Sequence, residues 1–107
     1  MENRTANIMI GGEEYTLLLT TKATREIAGR YGGLENLGDK LMKSENFEMA
    51  LGEIVWLITL LANQSLLIHN LKHRDDPREL LTEEVVELLT VPADLATYKA
   101  AITQAMY

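Results

Sequence analysis

Apolar residues alternate with polar ones near the start of the chain and then settle into a helical rhythm. Asn7-Ile8-Met9-Ile10 and Glu14-Tyr15-Thr16-Leu17-Leu18-Leu19 flank Gly11-Gly12-Glu13. Glycine takes the positive φ that a tight hairpin turn demands, and the two-residue period puts Ile8 with Ile10, and Tyr15 with Leu17 and Leu19, on common faces. A β-hairpin over about residues 6–20 is expected. Two strands alone are marginal, so the ribbon must lie on helices or pair with the edge of another chain.

Thr20 or Thr21 caps the next segment, a helix over 21–31 in which Ala23, Ile27 and Tyr31 recur before Gly32-Gly33 ends it. Leu34, Leu37 and Leu41 mark a second short helix over 34–43, followed by a loop at Lys43-Ser44-Glu45-Asn46. From 46 to 71 no proline interrupts the apolar rhythm, which predicts one helix. Unbroken, it would be ~39 Å long at about 1.5 Å per residue. Gly52 weakens its first turns, so either something packs closely there or the helix starts later.

Lys72-His73-Arg74-Asp75-Asp76 reads as a charged connection. Asp76, Pro77 and Glu79 fit an N-cap, a first-turn proline and a capping-box acid, while Thr82-Glu83-Glu84 repeats the start signal six residues later. The expected helix over 77–89 is therefore one piece or two. Pro92 opens a last helix, 92–106, with Leu95, Tyr98, Ile102 and Met106 on one stripe. The expected fold is mainly α with a small N-terminal β-hairpin (α+β), a helical bundle around one long central helix, in a single domain spanning 1–107.

The long helix carries the functional signal. Projected at about 100° per residue, Leu51, Ile54, Ile58, Leu61 and Ile68 form one stripe, and Met49, Trp56, Leu60, Leu67 and Leu71 form another roughly opposite. A helix with one face in water buries only one stripe. The second is covered either by the rest of the domain or by another polypeptide. Tryptophan and methionine favour binding surfaces, so Met49, Trp56, Leu60, Leu67 and Leu71 are the candidate partner-binding residues.

Composition narrows the alternatives. The hydrophobic fraction of 47% and charged fraction of 24% match ordinary globular usage, which disfavours global disorder. Sixteen acidic against ten scattered basic residues give a formal charge of −6, the wrong sign and arrangement for neutralising phosphates, so no nucleic-acid partner is expected. The first residues, Met1-Glu2-Asn3-Arg4, do not form a secretory n-region, and the longest apolar run, Ile54 to Ala62, is broken by Thr59. No membrane segment is expected from that run. Without cysteine there is no disulfide, thiolate or cysteine nucleophile, which is compatible with a cytoplasmic location.

Catalytic chemistry finds little footing. His69 and His73 lie four apart at a helix end, near Asp75 and Asp76, the spacing at which two imidazoles share a metal. The position after the first histidine is Asn70, however, where a zinc hydrolase pattern needs its glutamate base. Ser44 and Ser65 have no nucleophile elbow, and neither glycine pair is followed by the Lys-Ser or Lys-Thr of a phosphate loop. Glu13-Glu14 and Glu83-Glu84 read as solvated acids at a hairpin tip and a helix N-terminus. No catalytic, cofactor-binding or metal residue is assigned, and no enzyme activity is expected.

The order of elements resembles the tail assembly chaperones of long-tailed bacteriophages and their prophage and gene-transfer-agent relatives. The resemblance lies in Ile8-Met9-Ile10-Gly11-Gly12-Glu13-Glu14-Tyr15-Thr16-Leu17, a helix ending in Arg30-Tyr31-Gly32, a leucine-patterned helix, a long apolar helix, and Leu81-Thr82-Glu83-Glu84-Val85-Val86-Glu87-Leu88-Leu89. It implies a non-enzymatic protein of the bacterial host cytoplasm, which coats the aggregation-prone tape-measure protein and helps recruit tail-tube subunits. Members of that family are also made in a longer, frameshifted form. Two other readings compete with it: a small helical dimerising regulator or adaptor, a homo-oligomer closed by the same stripe, and a metal-dependent hydrolase using His69 and His73.

Overall fold

The computed structural model describes residues 5–33 and 47–106, the side chains of 47–50 excepted. The helix expected over 34–43 lies outside the described residues. Two strands, β1 (Thr5–Ile10) and β2 (Glu13–Leu18), pair antiparallel with Ile8 opposite Tyr15 and Ile10 opposite Glu13. Gly11 at φ 59° and Gly12 at φ 85° make the turn, and two successive positive φ values give the twist that a two-residue hairpin requires. Ala6, Ile8, Ile10 and Leu17 point into the core, while Met9 faces outward and is 53% exposed.

The helices are α1 (Thr21–Tyr31), α2 (Phe47–Lys72), α3 (Glu83–Leu89) and α4 (Pro92–Met106). Thr20 caps α1 by accepting from the Ala23 N–H at 3.0 Å, and its hydroxyl donates to Oε1 of Gln64 on α2. Gln64 is only 3% exposed and donates in turn to the Leu60 carbonyl at 3.0 Å, so the polar groups that join α1 to the core are mutually satisfied. Gly32, left-handed at φ 85°, closes α1 through its N–H to the Ala28 carbonyl.

The hairpin packs on α2, which runs through the middle of the molecule with α4 alongside. At 26 residues α2 is ~39 Å long by the helical rise, against a longest molecular dimension of 45 Å. Ile54, Leu57, Ile58 and Leu61 are fully buried, and they meet Leu17, Ile27 and Ile102 in one continuous core. This is the mainly helical architecture with an N-terminal hairpin on a long central helix that the sequence pattern predicts. Gly52 marks neither a later start nor close packing: α2 begins ahead of it, Gly52 is exposed, and a Cβ added there would meet nothing within 4 Å.

By length and composition Leu51–Lys72 is apolar enough to cross a bilayer, a property that the run from Ile54 to Ala62 alone did not reveal. Its placement supports a core role. The middle of the segment carries Asn63, Gln64 and Ser65, which bond to Leu81, Leu60 and Thr16 of the same chain.

Between α2 and α3 the structure corrects the sequence reading. The helix expected to start at Pro77 starts at Glu83, with Thr82 as the cap accepting from the Val85 N–H at 3.2 Å. The cause lies on α2. Asn70 accepts from the Arg78 N–H at 2.7 Å and donates to its carbonyl at 2.9 Å. Asn63 does the same to Leu81, at 2.8 and 2.9 Å. Both backbone groups of residues 78 and 81 are thus engaged by amide side chains two turns apart on α2, and the Asp76–Pro77 start signal is overridden by tertiary hydrogen bonds.

Candidate protein-binding surface

The five residues of the predicted stripe occupy different environments. Trp56 is clasped by the end of α1: Tyr31 meets it edge-on, with centroids 5.9 Å apart, and the Arg30 guanidinium lies 4.4 Å from the indole centroid. Glu53, one turn earlier on α2, pairs with Arg30 at 3.3 Å and accepts a hydrogen bond from the Tyr31 hydroxyl. Burial of the Tyr31 phenol, followed by its bond to the Glu53 carboxylate, pushes the Tyr31 pKa well above its ordinary value of 10.0. Trp56 and Leu60 are half-buried against the core, Leu67 is half-buried, and Leu71 is 66% exposed. The side chain of Met49 lies outside the described ones. The stripe therefore opens gradually toward the C-terminal end of α2.

A second apolar surface escaped the sequence reading. Of the four apolar side chains on α3, Val86 is fully buried, whereas Val85, Leu88 and Leu89 are exposed, Leu88 by 76%. Val91, in the turn before α4, is 57% exposed. This elbow borders a groove of about 210 Å³ lined by Leu51, Gly52 and Val55 of α2 and by Glu87, Thr90, Val91, Pro92 and Leu95. Leu89 also reaches the hairpin turn, where a Cβ on Gly11 would stand 2.9 Å from its Cδ1. The signal was present in the sequence: a helix as short as Glu83–Leu89 presents one narrow face to a core and cannot hide apolar residues at four of its seven positions.

The hairpin edges are partly occupied by side chains of α2 and α4. Counting outward from the turn-closing Ile10/Glu13 pair, the alternation of antiparallel pairing turns the backbone groups of Thr5, Asn7, Met9, Glu14, Thr16 and Leu18 away from the ladder. Three of those carbonyls are already occupied. Gln104 donates to Thr5 at 3.1 Å, the Tyr98 hydroxyl donates to Met9, and Ser65 donates to Thr16 at 2.9 Å.

His69 and His73 stack with ring centroids 4.7 Å apart, and Nε2 of His69 donates to the Asp76 carbonyl at 3.0 Å. That nitrogen is tied to the backbone and is not directed at a shared metal position. Among the described residues no group of three histidine, aspartate or glutamate side chains is arranged to hold a metal ion. A polar depression of about 520 Å³ lies between Glu13, Tyr15, Ser65, His69, Arg78 and Glu79. Its one serine hydroxyl faces the carbonyls of Thr16 and Ala62, which hold it as a donor and give it no base.

Searches of protein-family models, of curated proteins and of solved structures return no match to this chain.

Proposed function

We propose that this chain is a non-enzymatic protein-binding module of the bacterial cytoplasm that acts as a tail assembly chaperone, holding apolar segments of a tape-measure protein and helping to recruit tail-tube subunits. The observation that supports the reading is apolar surface left open beside a satisfied core. Among the described residues every buried side-chain nitrogen and oxygen has a hydrogen-bond partner, yet Leu88, Leu89 and Val91, close together in sequence at the elbow, are each more than half exposed. Such surface is a liability for a solitary protein and an asset for one that shields aggregation-prone segments. The formal charge of −6 keeps a loaded complex soluble.

The dimerising-regulator reading closes on the stripe of α2, where Trp56 is already clasped by Arg30 and Tyr31 of its own chain. The chaperone reading is tested by the gene's neighbourhood and by co-expression. A very long open reading frame directly downstream, whose product stays soluble and co-purifies only when this chain is present, is the expected result. A locus without virion genes, or two proteins that purify apart, defeats it.

A further inference from the structure

We infer that the elbow formed by α3, the turn at Val91 and the facing Leu51–Val55 side of α2 docks a basic amphipathic helix of a partner protein. The inference deepens the protein-binding reading and rests on it. Projected at about 100° per residue, α3 divides into three arcs: Val86 toward the core, Glu83, Glu84 and Glu87 on one flank, and Val85, Leu88 and Leu89 from the edge of that flank round to the other side of Val86. The acidic flank therefore borders the exposed apolar face on one side and, through Glu87, the groove that Val91 shares with Leu51 and Val55 on the other.

Charge selects the occupant. The ion pairs among the described residues are Lys22–Glu26 and Arg30–Glu53, so the three glutamates of α3 have no basic partner there. A second copy docked through the same elbow would bring acids and no base to pair with them. An anionic lipid surface would be repelled by them. A helix with leucine-like residues on one side and lysine or arginine beside them satisfies both arcs at once, in the helix-in-groove mode.

The test uses two fluorescently labelled synthetic helical peptides that share one leucine face and carry either lysine or glutamate at the flanking positions. Anisotropy titrations should show the lysine peptide binding at least about tenfold more tightly than the glutamate peptide, with an affinity that falls as salt rises. The pair Leu88→Ser/Val91→Ser and the triple Glu83→Gln/Glu84→Gln/Glu87→Gln should each weaken it about tenfold, with circular dichroism unchanged. The triple Glu13→Gln/Glu14→Gln/Glu79→Gln removes the same net charge elsewhere and should leave binding intact. Equal affinity for the two peptides, no binding of the lysine peptide, or an equal effect of the control triple overturns the inference. Binding abolished by Leu60→Ser/Leu67→Ser and kept by both elbow variants also overturns it, while leaving the protein-binding reading standing. Failure of that broader reading is seen separately, in the co-expression experiment.

Discussion

Among its described side chains, helix α2 spreads apolar residues over several faces and leaves only Leu71 exposed, whereas α3 has four in seven residues and hides one. Hydrophobic content does not separate the two; neighbours do. The hairpin, α1 and α4 close around Ile54, Ile58 and Leu61, but α3 touches the body through Val86 and through Leu89 at the hairpin turn. A side chain of the first kind holds the fold together, and one of the second is available for contact with something else.

The contrast is broken most forcefully by truncation. Ile58→Ala or Leu61→Ala removes a fully buried side chain and should cost about 2–5 kcal/mol in urea unfolding, while Leu88→Ala should stay within roughly 0.5 kcal/mol of the parent. A comparable cost at Leu88 would make α3 part of the core. Asn63→Ala comes next. It strands both backbone groups of Leu81 in a half-buried site and should cost about 1–3 kcal/mol, whereas Asn70→Ala, where water reaches Arg78, should cost less.

Tyr31 sharpens the comparison at the other end of α2. Its pKa is raised in the folded chain by burial and by the Glu53 carboxylate, so the folded state keeps a proton that the unfolded state gives up near pH 10. The stabilisation is complete below that pH and is lost as pH climbs toward the folded-state value. Alkaline unfolding curves should therefore fall less steeply above pH 10 for Tyr31→Phe than for the parent. An unchanged slope would mean that the clasp on Trp56 does not hold the phenol as described. The smallest effect belongs to Gly52→Ala, which fills open space on a helix and should raise stability by about 0.5–1 kcal/mol.

Much of this architecture is legible in residue order because local and long-range preferences agree. The Gly11-Gly12 turn, the Thr20 cap, the Gly32 stop and the Pro92 start each belong to the backbone conformation that their residue type favours. The sequence misleads where a distant partner competes. Nothing in Asp76-Pro77-Arg78-Glu79 announces that Asn63 and Asn70 will claim the backbone of this segment, and a capping box without that competition would start a helix. Periodicity likewise placed Trp56 and Leu71 on one stripe but gave no hint that Arg30 and Tyr31 would cover the first and leave the second open.

The most direct measurement is a map of amide shifts in the ¹⁵N-labelled protein as the lysine-flanked peptide is added. Changes confined to residues 51–55 and 83–95, with the hairpin and the Trp56 surroundings still, are predicted. A footprint centred on Trp56, Leu60 and Leu67, or none at saturating peptide, would contradict the account.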